Sequence, residues 1–264
     1  MGEHRDPELR WLERGDGEPV LLLHGLMGRM DHWDGVLDLL ADVCRPIALS
    51  LPIFDPRLAE TSIDGLADHT RRFMDTLDIP HAVLGGNSLG GHVALTLALD
   101  HPDRVSGLIL TGSSGLFERS FTRGVPHRPS PDFVRQKMAE IFYDPVLVTE
   151  AWVEAVCETL NHPASALRVL RFARAARRHN LEERLHEIRV PTLIVWGGDD
   201  RITPPAVAER FHALIPQSDL AFLPCCGHAP MLEQPEPWGR CARGWLDETR
   251  VRRTRSAAGV GSLP

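Results

Sequence analysis

Three residue clusters, far apart in the chain, have the types and spacing for nucleophilic chemistry. Ser88 is the centre of Gly86-Asn87-Ser88-Leu89-Gly90, a match to G-x-S-x-G. A serine hydroxyl is a weak nucleophile at neutral pH; it needs a base, and the base needs a third group to orient it. Gly227-His228-Ala229-Pro230 offers the imidazole, and Gly197-Gly198-Asp199-Asp200 offers a carboxylate from Asp199 or Asp200. Together they would support acyl transfer: Ser88 attacks a carbonyl, His228 takes and returns the proton, and the acid steadies the imidazolium. The bland alternatives are a glycine-rich turn with a capping serine and a surface-loop histidine.

Acyl transfer also needs donors for the oxyanion. The Leu89 N–H, directly after the nucleophile, is one candidate. The loop His24-Gly25-Leu26 supplies the other, read as the Leu26 N–H with Met27 as the alternative. His24 reads as a structural residue of that loop. His92, His101, His127, His162 and His179 stand in no motif and read as ordinary.

These groups need elements that hold them at one edge. Pro19–Leu23, Arg45–Leu51, His81–Leu84, Val105–Leu110, Val190–Trp196 and Leu220–Leu223 are short apolar runs, the pattern of strands buried on both faces. Leu9–Leu12 reads as a short edge strand or an entry segment. Helical spacing recurs over Asp31–Leu40, Ile63–Leu77 and Leu89–Leu99, from Pro204 onward, and over Glu236–Thr249. The alternation predicts an α/β chain with a mostly parallel sheet and helices on both faces. Each chemical cluster then falls just past the carboxyl end of a strand, where ligands bind in such sheets.

Between Leu116 and Glu187 the alternation stops. Helical runs at Phe133–Phe142, Thr149–Leu160, Ser165–Arg178 and Leu181–Glu187 predict an inserted helical lid, 116–187, over a core made of 1–115 and 188–249. Residues 250–264, basic and then small and polar, are expected to be a disordered tail. The lid's apolar stripe supplies Phe142 and Trp152 to a candidate substrate pocket, with Met27, Asn87 and Ala229 from the core loops. Arg168, Arg171, Arg174, Arg177 and Arg178 form a basic stretch, read as a solvated face balanced by Glu182, Glu183 and Glu187, with an anion patch as the alternative.

The net charge of −7 argues against nucleic acid and anionic membrane as partners. No apolar run approaches the roughly 18 residues of a membrane span, and the first residues lack a signal-peptide core, so a cytoplasmic location is expected. The five cysteines are odd in number and contain no C-x-x-C pair. They read as free thiols, with no metal site. No organic cofactor is called for, the expected partner is a small molecule with an apolar acyl or ring portion, and the sequence leaves the oligomeric state open.

The chain resembles the α/β-hydrolase superfamily over roughly residues 9–249, through His24-Gly25-Leu26, Gly86-Asn87-Ser88-Leu89-Gly90-Gly91, Trp196-Gly197-Gly198-Asp199-Asp200 and Gly227-His228. The resemblance implies that fold, with its inserted lid. It also implies that the acid lies four residues after Trp196, at Asp200. Within the superfamily, Gly-Asn-Ser-Leu-Gly-Gly and Trp-Gly-Gly-Asp-Asp-Arg look like the bacterial meta-cleavage-product hydrolases, which cut a carbon–carbon bond in vinylogous 1,5-diketones.

Three departures stand out. Ala229 replaces the aromatic residue that usually follows the histidine. Val156 falls near the place of a lid arginine that holds the substrate's carboxylate. Ser50-Leu51-Pro52-Ile53-Phe54-Asp55-Pro56 replaces the Asp-x-x-Gly-x-Gly-x-Ser of many relatives. Dehalogenases and epoxide hydrolases of this fold use aspartate where this chain has Ser88.

The main expectation is therefore a serine hydrolase cleaving a small or medium carboxylic ester through an acyl-enzyme on Ser88. The alternative is carbon–carbon hydrolysis of a dienone acid. An alternative of another class is a non-catalytic ligand-binding receptor on the same fold.

Overall fold

The computed structural model describes the chain except for residues 1, 7, 8, 59, 118–125, 127 and 260–264, and gives the backbone alone for 2–6 and 251–259. In chain order the elements are β1 (Gly2–Asp6), β2 (Leu9–Glu13), β3 (Pro19–Leu23), α1 (Asp34–Leu40), β4 (Arg45–Leu49), α2 (Ile63–Thr76), β5 (Ala82–Asn87), α3 (Leu89–Asp100) and β6 (Val105–Thr111). Then come α4 (Pro131–Ala139), α5 (Glu150–Asn161), α6 (Pro163–Arg178), β7 (Thr192–Gly197), α7 (Pro205–Leu214), β8 (Ser218–Leu223), α8 (Pro230–Glu233) and α9 (Pro235–Gly259).

The strands form one sheet in the order β1-β2-β4-β3-β5-β6-β7-β8. The β1–β2 and β2–β4 pairs are antiparallel and the rest are parallel. Side chains alternate between the two faces, as the pleat demands. From β3, Leu21 and Leu23 enter one core, which also holds Leu66 and Phe73 of α2, Val93 and Leu97 of α3, and Phe211 of α7. Val20 and Leu22 enter the other, with Trp33, Leu37 of α1 and Trp238 and Trp245 of α9. In β7, Ile194 and Trp196 face the first core, and Leu193 and Val195 the second. An apolar face on both sides explains why these strands read as unbroken hydrophobic runs.

The mostly parallel α/β architecture is as expected, and so is a helical insertion, α4–α6, between β6 and β7. It has a small core of its own, Val134, Met138, Val153 and Cys157. Ser130 and Thr149 cap α4 and α5 by accepting from the N–H groups of Phe133 and Trp152.

Several boundaries differ from the expectation. Leu9–Leu12 is not the edge strand, because β1, whose charged sequence carries no apolar alternation, lies outside it. The helix expected over Leu181–Glu187 is only a single 3-10 turn, Leu185–Glu187; the Leu181 N–H is instead donated to Gly115 O, 2.8 Å away. The Asp31–Leu40 helix begins as a 3-10 turn over Met30–Trp33. The last helix continues past Thr249 to Gly259.

Candidate active site

Ser88 sits between β5 and α3 with φ 53 and ψ −116, a strained conformation for a residue with a side chain. Its N–H donates to Thr111 O, and its carbonyl accepts from the N–H groups of His92 and Ser114, all at 3.1 Å. These bonds hold the bend. The glycines are required by close approach: a Cβ on Gly90 would stand 2.1 Å from Leu23 O, and one on Gly86 would stand 2.3 Å from the Gly90 carbonyl carbon.

The loop after β7 turns Asp200 inward and leaves Asp199 exposed. Asp200 is 3% exposed. Its Oδ1 accepts from the N–H groups of Ile202 (2.8 Å) and Thr203 (2.9 Å). Its Oδ2 accepts from the Thr203 hydroxyl and from His228 Nδ1, each at 2.8 Å. With Nδ1 held by the acid, Nε2 is the ring nitrogen that can take a proton.

The His228 backbone is fixed on both sides. Its N–H donates to Ile141 O at 2.7 Å, and its carbonyl accepts from Asn87 Nδ2 at 2.9 Å. Asn87, expected in the pocket, does line it, but its amide also donates to Thr111 O.

Ser88 and His228 line one cavity of about 460 Å³, a size ordinary for small-molecule sites. Leu26, Leu89, Met27, Phe142, Trp152 and Ala229 line it too. Its walls come from both the core loops and the inserted helices. The Gly25 loop lies against the serine, since a Cβ on Gly25 would be 3.3 Å from Ser88 Cβ. Val156 faces the cavity as well, so the place given to a lid arginine by resemblance is apolar here.

His24 is structural, as expected. Nδ1 donates to Gly25 O at 2.8 Å, and Nε2 accepts from the Leu51 N–H at 2.9 Å. Burial lowers its pKa to about 4, so it is neutral.

Sequence reasoning missed several supports. Thr203 bridges acid and imidazole, with its hydroxyl 3.2 Å from His228 Nδ1. Trp196 donates its indole N–H to Thr203 O at 2.8 Å and so anchors the acid's loop. Gly112, with φ +52, leaves room for the imidazole; a Cβ there would be 2.9 Å from Nδ1. The Glu233 carboxylate accepts from the N–H groups of Gly227 (2.9 Å), Ala229 (3.2 Å) and Tyr143 (2.7 Å). Only the Trp196 spacing had a sequence signal.

A second polar chain runs beneath the elbow: Ser114 Oγ to His92 Nδ1 (3.5 Å), His92 Nε2 to His179 Nδ1 (3.0 Å), and His179 Nε2 to Asp64 (3.4 Å). Burial pushes His92 down to about 3, which makes it too weak a base to activate a hydroxyl. His127 lies outside the described residues.

The basic stretch is not balanced as expected. Glu182 pairs with Arg210 and Glu187 with Arg184. Arg171, Arg174, Arg177 and Arg178 make no ion pair among the described residues.

The model of the Alpha/beta hydrolase family matches residues 20–238. The chain belongs to that family. A serine, a histidine and an aspartate are brought to one edge of its sheet. It is 34% identical, over 86% of its length, to the dihydrolipoyllysine-residue acetyltransferase component of the acetoin cleaving system of Pseudomonas putida, of which it spans 64%. It is 29% identical to the 2-hydroxy-6-oxo-6-(2'-aminophenyl)hexa-2,4-dienoic acid hydrolase of Metapseudomonas resinovorans, across 95% of this chain and 91% of that one. Among solved structures, the meta-cleavage product hydrolase of Pseudomonas fluorescens superposes with a TM-score of 0.79 at 26% identity, covering 91% of this chain and 94% of that one. Among the described residues, no helix is long and apolar enough to cross a membrane.

Proposed function

We propose that Ser88, His228 and Asp200 are the catalytic triad of a hydrolase acting on a small substrate with an apolar or ring portion, and that the bond cleaved is the carbon–carbon bond of a dienone acid. The observation that carries the triad is the 2.8 Å contact of buried Asp200 with His228 Nδ1, in a ring that shares its cavity with Ser88. What supports the bond is likeness, in sequence and fold, to hydrolases named for such acids.

In this reading Ser88 Oγ attacks the ketone as His228 Nε2 takes its proton. The Leu26 and Leu89 N–H groups face the oxyanion, each worth about 3 kcal/mol. Collapse breaks the carbon–carbon bond. For this the dienone acid reacts in its keto form, a vinylogous 1,5-diketone whose carbon beside the attacked ketone is saturated. The electron pair leaves on that carbon, in conjugation through the double bond with the far ketone, and protonation of the resulting dienolate by His228 completes the first half. Water, activated by the same imidazole, then releases the acid from Ser88. The inserted helices 116–187 act as the lid on a core of 1–115 and 188–249; they exclude water and shape specificity. One imidazole, taking a proton and returning it in each half, serves as both base and acid.

Ester cleavage is the second reading. Ala229 and Val156 favour it, because both leave apolar wall where the resemblance puts an aromatic residue and an arginine. Loss of absorbance of a dienone acid, assayed beside p-nitrophenyl esters of graded chain length, separates the two. Faster turnover of the dienone acid is expected, and turnover of esters alone returns the main expectation from sequence. Ser88→Ala should abolish either activity; retention of most of it would remove Ser88 from the mechanism.

A further inference from the structure

We propose that His179, just past the end of α6, is a positioning residue for the nucleophile and acts through His92 on the turn that carries Ser88. The inference rests on the reading of Ser88 as the nucleophile.

Ser88 has a strained backbone, and the N–H groups of His92 and Ser114 hold its carbonyl, each at 3.1 Å. The side chains of those same two residues meet: Ser114 Oγ lies 3.5 Å from His92 Nδ1. One imidazole thus joins both clamps on the bend. His92 is fully buried, so its ring N–H needs a partner inside the protein. On the far side that partner is His179, whose Nδ1 lies 3.0 Å from His92 Nε2. The ring centroids are 5.1 Å apart with 30° between the planes. Rings so spaced, with nitrogens that close, meet edge to edge, as an N–H···N bond requires.

The last member of the chain sets the direction of every bond in it. Asp64, in the first turn of α2, has Oδ1 3.4 Å from His179 Nε2. An ionised carboxylate only accepts. It places the proton of neutral His179 on Nε2 and leaves Nδ1 bare. His92 then donates from Nε2, and its own bare Nδ1 accepts from the Ser114 hydroxyl. Burial lowers the pKa of His92 to about 3 and keeps the ring neutral, as this pattern needs.

His179 caps α6, His92 lies on α3 and Asp64 on α2. The Leu181 N–H donates to Gly115 O at 2.8 Å, which pins the segment after His179 beside Ser114. Polar bonds therefore join the inserted helices to the nucleophile's turn. Removing the His179 ring leaves a buried N–H without its acceptor. His92 can regain one only by turning, and that disturbs both clamps on Ser88.

The test is saturation kinetics of Ser88 labelling by a fluorophosphonate, on the full-length protein. The end point counts folded sites, and the limiting rate reads the nucleophile apart from binding. His179→Phe keeps a ring without an acceptor; His179→Asn keeps an acceptor near the place of Nδ1. The limiting rate should fall about tenfold in His179→Phe and His179→Ala, with the half-saturating concentration unchanged. His179→Asn should recover most of that loss. Equal limiting rates in all four proteins overturn the positioning role. So does a loss in His179→Asn as deep as in His179→Phe, or a loss carried by the half-saturating concentration alone. If His179→Ala does not fold, the Phe and Asn pair makes the same decision. Absence of labelling in the unsubstituted protein would instead defeat the reading of Ser88 as the nucleophile.

Discussion

At the scale of single residues, the site is a problem of holding one imidazole. Asp200 cannot rotate away, because its oxygens already accept from Ile202, Thr203 and His228. Held by those donors, its Oδ2 accepts from His228 Nδ1 and fixes the orientation of the ring. Asp200→Asn would present an amide N–H to the ring and favour the wrong tautomer. Turnover is expected to fall about ten-thousandfold while the fold is kept, checked by steady-state kinetics beside circular dichroism. Thr203→Val would leave the contact between acid and imidazole in place but remove a hydroxyl that bonds to Asp200 and lies 3.2 Å from His228 Nδ1. A fall in turnover of about tenfold is expected, with little change in apparent substrate affinity.

At the scale of elements, the elbow works because β5 and α3 meet with almost no space between them. Gly90 is where α3 crosses the end of β3. Gly90→Ala would force its Cβ to within 2.1 Å of Leu23 O, so the strand or the helix has to move. A loss of about 3 kcal/mol in urea unfolding is expected, together with loss of Ser88 labelling. Glu233, at the end of α8, does for the histidine loop what the glycines do for the serine. One carboxylate accepts from Gly227 and Ala229 on either side of His228, and from Tyr143 in the insertion. Glu233→Ala leaves those donors to water. It should cost about 1 to 2 kcal/mol of stability and lower turnover about tenfold or more as His228 loosens; thermal melting and kinetics on the same preparation check both.

At the scale of the molecule, several histidines are buried in neutral form. Desolvation lowers His24 and His69 to about 4 and His92 to about 3, all from an ordinary value of 6.5. As the pH falls below 6.5, the unfolded chain takes up these protons while the folded chain does not. Folding stability from these groups is therefore level above pH 6.5 and declines between 6.5 and 4. His24 alone costs about 3 kcal/mol by pH 4. Urea midpoints should fall steeply over that window, and His69→Gln should flatten the slope by about one proton. The insertion is tied to the core through Arg168, whose Nε donates to Ile53 O at 2.6 Å, and through the imidazole pair of His92 and His179. Acid should therefore loosen α6 along with the core.

Taken by itself, the sequence determined the serine, the histidine, the pair of candidate acids and the parallel sheet. Each of these is written in neighbouring residues: glycines that admit a sharp bend, and apolar runs that can be buried on both faces. The resemblance already pointed to Asp200 as the acid; tertiary structure alone decided that Glu233 and Thr203 brace the imidazole, and that Arg128 and Arg177 share a cavity with Ser88. Glu233 lies close to His228 in the chain, but Thr203 meets His228, and Tyr143 meets Glu233, from distant segments. Those meetings depend on the order in which strands lie side by side and on how an insertion folds back across their ends, and no local pattern of residue size or polarity records either.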